Sequence, residues 1–583
     1  MNSLPLPPHR PRRFAALAVA SALALMAAGG AAHAQTAAPA ESAMVQLIRG
    51  LIQSGALAKD AGAALLAQAQ TEALAAQQAQ RQTAAAAAPG AVKAQAGDVR
   101  VPYISETVRG QIRDEIKGEV MAQARAEGWA APNETPEWTK RIRVEGDVRA
   151  RSESRFYAGN NSDIEIDWRS LNAGSGYDVN QNSNLALPAL LNTRQDRKNL
   201  LRARARLGVL ADISPRTHAG IRLATGSDDS AVSTTQTLGG GLGKKNIWLD
   251  QAWLSYQAAD WLKLTAGRFD SPFVASDVLF SGDLNFDGVA ARAEHKLAGQ
   301  DVKLFGTLGL IPLEYSSDSA PSRSRSKLSS QNKWLLGAQL GAQWKINAEH
   351  TLRAALAYYD FKNVSGEYSL PCALYAGADG CSTDWSRPVT MQKGNSLMLL
   401  RNIALNPLDP ASTPQPQYTG LASKFQLLDV NLRWDGKVAG GTDLRVDADY
   451  VYNRRYNKTD MWARAPGGIM NNFNGTGGVT QADFRSGGRA YMVQATLGKA
   501  SPAQRGDWNV LAGYKRIEPD ALPDAYNDST FHGGGTNARG YYVGGAYALD
   551  KNTWFGGRWM ATREVFGPAH SIDTLQLELN TRF

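Results

Sequence analysis

Several arginine residues are spaced two positions apart in two segments of the chain, and they are the side chains best placed to bind a charged solute. In both segments, 141–153 and 200–212, small or apolar residues alternate with charged ones. Successive side chains of a β-strand point to opposite faces, so the arginines of each segment share one face. The pattern predicts a basic wall on neighbouring strands, formed by Arg143, Arg149, Arg151, Arg202, Arg204, Arg206 and Arg222.

The same two-residue period continues through the chain after Trp138 and predicts an all-β fold of about 16 strands. The connections alternate between short and long, which is typical of transmembrane antiparallel barrels. The predicted fold is therefore a transmembrane antiparallel β-barrel, preceded by a short helical or coiled-coil periplasmic segment. The strands are predicted near 141–153, 200–212, 217–226, 246–256, 261–269, 285–295, 302–310, 333–345, 352–361, 426–434, 443–452, 490–499, 507–515, 538–548, 554–563 and at the C-terminus.

Aromatic residues are sorted between the two ends of the predicted strands. A membrane barrel carries an aromatic girdle at each membrane interface. The strand ends beside the short connections carry Trp261, Trp344, Trp434, Trp508 and Trp554. The opposite ends carry Tyr358, Tyr450, Tyr452, Tyr491 and Tyr542. This sorting predicts two girdles, for which a soluble β-sandwich offers no reason.

The C-terminal segment LQLELNTRF (575–583) alternates between apolar and polar residues and ends on an aromatic ring. In lipid every backbone polar group needs a partner within the protein, so the sheet must close. The last strand is therefore expected to pair with 141–153. Phe583 is expected to face lipid and to act as an assembly signal for the barrel assembly machinery, while Glu578 and Arg582 face water.

The first 34 residues have the pattern of a cleaved signal peptide. Three arginines precede a short apolar run, and Ala32-His33-Ala34 fits the rule for cleavage. A retained membrane anchor is the alternative, and the shortness of the run argues against it. Cleavage lowers the excess of basic over acidic residues from nine to six. So small an excess does not indicate a nucleic-acid-binding protein.

A helix is predicted from about Glu106, after an N-cap at Ser105. Its apolar residues form a narrow stripe, which suits a helical seam between chains or, alternatively, a solvated helix with weak self-association. The stripe consists of Val108, Ile112, Ile116, Val120 and Ala124. The predicted organisation is a signal peptide (1–34), an Ala- and Gln-rich helical and linker segment (35–100), a periplasmic helix and junction (101–138) and an outer-membrane barrel (139–583).

The two cysteines, Cys372 and Cys381, are expected to form a local disulfide in an exported protein, with two free thiols as the alternative. The histidines show no HxxxH or HExxH spacing, and there is no G-x-S-x-G motif. The stretch GGGLGKK (239–245) is predicted to be a flexible loop, because it lacks the first Gly and the final Ser or Thr of a phosphate-binding loop. We expect no enzymatic activity, no metal and no cofactor.

The chain resembles the putative porin family of Gram-negative outer membranes. The resemblance rests on VPYISETVRGQIRDEIK (101–117) and GWAAPNETPEWTKRIRVEGDVRARSE (128–153). Further along, LTAGRF (264–269), GYYVGGAY (540–547) and the final Phe583 also fit. It implies a pore-forming, oligomeric barrel in outer-membrane lipid and lipopolysaccharide, and general porins suggest a homotrimer.

In general porins the third long loop folds into the lumen, and here that loop would be FDSPFVASDVLFSGDLNFDG (269–288). An inward fold would place carboxylates across the lumen from the arginines. The opposed charges would create an electric field across the lumen, and such a field orients dipolar solutes. The acidic residues are Asp270, Asp277, Asp283 and Asp287. The sequence thus predicts a diffusion pore for small hydrophilic solutes that favours anions, unless the arginines are neutralised by acids of the wall such as Glu145 and Asp147.

Three other functions remain open from the sequence. An energised or ligand-specific transporter would need a globular plug and about 22 strands. An outer-membrane hydrolase is disfavoured by the missing nucleophile and metal patterns. A structural tether would use the helices at 41–127 to bind the cell wall or a partner.

Overall fold

The structure is a computed structural model and describes residues 106–126, 139–228, 230–316, 329–473 and 479–583. The predicted signal peptide, the segment 35–100 and the cap Ser105 lie outside the described residues. The first described element is a helix, α1 (Glu106–Ala126). The side chains of Val108, Ile116 and Val120 are exposed on it. None of the described helices is long and apolar enough to cross a membrane.

Sixteen long antiparallel strands and the two-residue strand Gln236–Thr237 form one closed sheet. All the predicted strands are present, and their ends lie within four residues of the predicted ends. The strands are β1 (Ile142–Tyr157), β2 (Arg197–Ser214), β3 (Thr217–Thr225), β4 (Ile247–Ala259), β5 (Leu262–Asp270), β6 (Asn285–Lys296), β7 (Val302–Glu314), β8 (Lys333–Lys345), β9 (Thr351–Lys362), β10 (Phe425–Lys437), β11 (Asp443–Asn453), β12 (Arg489–Gly498), β13 (Trp508–Ile517), β14 (Ala538–Asp550), β15 (Thr553–Glu564) and β16 (Ser571–Arg582).

The sheet closes between its first and last strands, as the C-terminal pattern predicted. β1 pairs with β16 in a register that sets Asp147 opposite Arg582. The last residue completes the ladder, because the N–H of Phe583 donates to the carbonyl of Gly146 and the N–H of Gly146 donates back, both at 3.0 Å. The closed sheet has no free edge, which is the condition for crossing lipid.

The two faces of the barrel wall reverse the usual arrangement of a water-soluble protein. Large apolar side chains point outward, with Leu340 73% and Leu308 63% exposed. Polar side chains point inward, where Asp429 is 1% and Asn431 6% exposed. On β16, Leu577 and Leu579 are exposed while Gln576 and Asn580 are buried. An apolar exterior around a polar interior is the pattern of a barrel surrounded by lipid.

Two of the ten residues predicted for the aromatic girdles lie inside the barrel instead. Tyr542 is only 1% exposed, whereas its neighbour Tyr541 is 68% exposed. Trp554 lines an internal cavity, and its neighbour Phe555 is exposed. In both places two aromatic residues are adjacent, and strand geometry allows only one of them to face outward. Tyr541 and Phe555 therefore occupy the outer positions.

The long connections contain short elements of their own. The first long loop, L1 (158–196), carries α2 (Trp168–Ala173), whose first turn is capped by Asp167. The sixth, L6 (454–488), carries α3 (Lys458–Ala463) with Asn457 as its cap. In the fifth, L5 (363–424), the sulfurs of Cys372 and Cys381 are bonded, and their Cα atoms are 5.5 Å apart.

A charge introduced on the outer face should destabilise the barrel. Leu340→Arg, near the middle of β8, should lower the free energy of unfolding by about 2–4 kcal/mol, because the guanidinium would enter the lipid midplane. Guanidinium-induced unfolding of the refolded protein in phosphocholine vesicles measures this. The control Gln343→Arg lies on the other face of β8, and there a change within about 0.5 kcal/mol is expected. Equal losses in both variants would contradict an outward-facing Leu340.

Candidate pore constriction

The third long loop, L3 (271–284), joins β5 to β6 and lies inside the barrel. Its apolar residues are buried against the inner wall, where Phe273 and Phe280 pack edge-on against Tyr359 at 5.1 and 5.3 Å between ring centroids. Its backbone is held by strands far from its own: the N–H of Val274 donates to Gln339 Oε1 at 2.8 Å, and the N–H of Ser276 donates to Asp449 Oδ2 at 3.0 Å.

A lysine on β13, which is not adjacent to the strands that L3 joins, holds the middle of L3. Lys515 on β13 is 1% exposed, and its Nζ lies 2.6 Å from Asp277 Oδ2 and 3.4 Å from Asp528 Oδ2. The ammonium also lies 5.3 Å from the Phe531 ring centroid and 5.4 Å from that of Tyr542. Since L3 contacts β8, β11 and β13 as well as its own strands, it crosses the lumen and narrows it.

The arginines of β1 and β2 face one another across the ladder. In the register of these strands Arg149 lies opposite Arg204, and Arg151 lies opposite Arg202. Like charges directly opposite one another are destabilising, so the arrangement needs counter-charges. Asp147, opposite Arg206, is one of them: its carboxylate lies 2.7 Å from Arg204 and 2.6 Å from Arg206.

Two glutamates supply further counter-charges. Glu578 on β16 accepts a hydrogen bond from Arg151 Nε at 2.5 Å. Glu153 lies 3.0 Å from Arg202 and 2.8 Å from Arg155. The predicted bracing of the wall by its own acids is therefore present, although Glu145, one of the acids named for it, is exposed.

Asp283 of L3 joins the loop to the arginine wall. Its Oδ1 lies 3.3 Å from Arg204 Nη1 and 3.5 Å from Arg206 Nη1, and its Oδ2 accepts from Thr234 Oγ1 at 3.0 Å. Burial by itself would raise the pKa of Asp283, but the guanidinium groups outweigh it and hold the pKa below its usual range. The carboxylate is thus ionised at neutral pH.

Arg149 differs from the other arginines of the wall. Its Nη2 donates to Thr235 Oγ1 at 2.5 Å, while its buried Nε has no hydrogen-bond partner among the described residues. No ion pair joins it to a carboxylate in the described part of the chain. Its charge is therefore less compensated than the charges of Arg151, Arg202, Arg204 and Arg206.

A polar cavity of about 560 Å³ lies between the wall and L3. Its lining brings together two of the four predicted acids and five of the seven predicted arginines. These are Asp277, Asp283, Arg149, Arg151, Arg202, Arg204 and Arg206. Trp554 and Arg558 of β15 and Glu578 of β16 also line the cavity.

The other predicted site residues lie elsewhere. Arg222 contacts Asp250 at 2.6 Å, next to the cavity-forming strands but outside this lining. Arg143 is exposed near the short-turn end of β1. Asp270 and Asp287 lie on β5 and β6 and not in L3, because the strands extend further than the sequence pattern indicated. Asp287 forms an exposed ion pair with Arg268 at 3.1 Å.

Sequence reasoning missed Lys515, Glu153 and Arg558. The two-residue period of the strand places Lys515 on the inner face, so its burial could be predicted from the sequence. No local sequence pattern indicates its contact with Asp277, because the two residues are far apart in the chain and meet only when L3 folds inward.

A closed membrane barrel whose lumen is narrowed by an inward loop and lined by opposed charges is a channel of the outer membrane. Residues 41–583 match the family model described as "Putative porin", and the chain belongs to this family. No curated protein matched the chain in a sequence comparison.

Several solved outer-membrane proteins are similar to this chain. The channel DcaP of Acinetobacter baumannii is 11% identical, with 76% of this chain and 97% of that chain covered and a TM-score of 0.35. OprB of Pseudomonas putida is also 11% identical, with 76% and 95% covered and a TM-score of 0.40. OmpT of Vibrio cholerae, solved in a trimer form, is 8% identical, with 76% and 100% covered and a TM-score of 0.34.

Removing the charge of Asp283 should change ion selectivity. A unit charge about 5 Å from a permeating ion is worth about 0.8 kcal/mol in water, or about a fourfold change in local ion occupancy. Asp283→Asn should therefore shift the reversal potential in a KCl gradient toward chloride. The control Asp287→Asn makes the same charge change outside the cavity and should leave the potential unchanged.

The contribution of Asp283 should persist on mild acidification. Because its pKa is lowered, its charge is present at neutral pH and is lost only as the pH falls below the ordinary aspartate range. The difference in reversal potential between wild type and Asp283→Asn should stay constant from pH 7 to pH 5. A difference that already vanishes at pH 5 would contradict the pairing with Arg204 and Arg206.

Proposed function

We propose that this protein is a passive, water-filled diffusion channel for small hydrophilic solutes, and that its constriction favours anions. The observation that carries the proposal is the polar cavity between the arginine wall and L3. A lumen of this kind selects solutes by its width and by the sign of the charges at its narrowest part. The described interior holds no globular plug, only L3 and parts of the other loops.

The anion preference is expected to be modest. Arg204 and Arg206 share Asp147 and Asp283, and Arg151 and Arg202 pair with Glu578 and Glu153. Much of the wall's charge is therefore balanced before any solute enters. Among the five wall arginines of the cavity lining, Arg149 is the one without a carboxylate partner in the described residues, so it is best placed of these five to attract an anion. Its guanidinium would hold a carboxylate or phosphate group of a passing solute in a charge-assisted contact.

The homotrimer implied by the family resemblance remains a proposal as well. OmpT of Vibrio cholerae was solved in a trimer form. Single-channel openings that occur in groups of three would support a trimer, and single independent steps would contradict it.

We also propose that the first 34 residues are cleaved during export, which is checked by sequencing the N-terminus of the mature protein.

Neutralising the wall should reverse the selectivity. In the triple variant Arg202→Gln, Arg204→Gln, Arg206→Gln, the carboxylates of Glu153, Asp147 and Asp283 lose these partners, so the reversal potential in a planar bilayer should move toward potassium. The control Lys244→Gln, Lys245→Gln, Lys551→Gln removes the same charge from exposed residues outside the cavity. Its reversal potential should stay near that of wild type.

The variant Arg149→Gln tests the effect of a wall arginine on ion selectivity without the loss of stability that a broken ion pair would cause. Removing one partner of a buried ion pair destabilises a protein, so the triple variant needs a check of folding by heat-modifiable gel mobility. Arg149→Gln breaks no ion pair among the described residues and should still reduce the anion preference. Unchanged selectivity in both variants, with barrels demonstrably folded, would overturn the anion proposal, and folded wild-type barrels without conductance would overturn the channel itself.

A further inference from the structure

Three of the long loops meet at a buried cluster of histidine and glutamate residues. His532 lies in the seventh loop, L7 (518–537), Glu564 is the last residue of β15, and His570 is the last residue of the eighth loop, L8 (565–570). One donor atom from each of these three residues lies within 4.8 Å of the other two. Glu165 of L1 reaches the cluster from the side. His532 is 1% and His570 4% exposed, so the cluster lies beneath the surface.

The hydrogen bonds around His532 define which of its nitrogens is free. The hydroxyl of Thr562 donates to the carbonyl of Ile572 at 2.7 Å, so its oxygen accepts from His532 Nδ1, 3.0 Å away. The Nδ1 atom therefore carries the proton, and Nε2 keeps its lone pair. That Nε2 atom is buried and has no hydrogen-bond partner in the described chain.

His570 also offers buried nitrogen atoms without hydrogen bonds. Its Nδ1 lies 2.5 Å from Glu165 Oε2 and 3.9 Å from Glu564 Oε1, but neither Nδ1 nor Nε2 makes a hydrogen bond with the described residues, and both atoms are buried. A carboxylate beside a metal-bound histidine commonly orients its ring, and Glu165 is placed to do so here.

Buried polar atoms in proteins almost always have a hydrogen-bond partner, so three imidazole nitrogens without one, beside two glutamates, require an explanation. We propose that His532, Glu564 and His570 bind a divalent transition-metal ion, with zinc as the best fit. Two imidazole nitrogens and one carboxylate oxygen are a set that zinc accepts, leaving a fourth position for water. Calcium and magnesium prefer sites made of oxygen atoms alone.

The ion has a route of entry and oxygen ligands beside it. Glu165 and Glu564 line a cavity of about 400 Å³ among the long loops, so the carboxyl side of the cluster is accessible. Lys393 lines the same cavity and interacts electrostatically with both glutamates, so an ion that binds here competes with its ammonium for their oxygen atoms.

A metal ion here would add coordinate bonds to the hydrogen bonds that already link these loops. It would tie L7 to L8 directly and, through the contact between His570 and Glu165, hold L1 as well. This inference does not depend on the proposed pore, because the cluster lies apart from the arginine wall and L3.

The test is a calorimetric titration of the refolded, tag-free, full-length protein with zinc chloride. We expect one zinc ion per chain and no competition from millimolar magnesium chloride. His532→Ala and His570→Ala should each weaken binding at least about tenfold. The control His295→Ala removes an exposed imidazole of β6 and should bind zinc like wild type. Cobalt(II) should give visible absorption bands in wild type that both cluster variants lose.

Folding of each variant is verified by heat-modifiable gel mobility. If a histidine variant does not fold, Glu564→Gln replaces it, because it keeps the shape of the side chain and should also weaken zinc binding about tenfold or more. Folded wild-type protein that takes up no zinc would overturn the proposal. Folded cluster variants that bind zinc as tightly as His295→Ala would overturn it equally.

Discussion

The pairing of every backbone N–H and C=O group across a closed sheet is the constraint on which the rest of this structure depends. Lipid offers no hydrogen bonds, so a strand edge left open within it would cost free energy at each residue. The first and last strands are therefore joined, down to the reciprocal bonds between Gly146 and Phe583. Once the sheet is closed, strand geometry assigns alternate side chains to lipid and to the interior, and all polar function is confined to the inside.

The interior is then built as a network of charges and not as an apolar core. Arginines that face one another on β1 and β2 can coexist only because carboxylates from the same strands, from β16 and from L3 lie between them. The loop in turn is held by groups spread around the wall, including Gln339, Asp449 and Lys515. The same ion pairs thus fix the loop in position and set the electric field that a solute would meet.

The sequence predicted the fold best in the barrel strands, where every residue faces either lipid or the aqueous interior. The two-residue period predicted all the barrel strands, because lipid on one side and water on the other select opposite side chains at each step. It failed where neighbours compete for one face, as Tyr541 does with Tyr542. It also assigned Asp270 and Asp287 to a loop, since a strand that continues through charged residues has no clear end. The contacts of Asp277 with Lys515, and of His532 with Glu564 and His570, join distant segments and leave no local pattern.

The pairing of β1 with β16 also bears on the order in which the barrel can form. Neighbouring strands elsewhere in the barrel follow one another along the chain, but Asp147 and Arg582 are brought together from its two ends. Contacts between such distant residues are slow to form, because most of the chain must be ordered first. Until then both strands present unpaired edges, which invite pairing with other chains. We therefore expect the closing ladder to form late in folding, with the unclosed barrel as the species most exposed to aggregation.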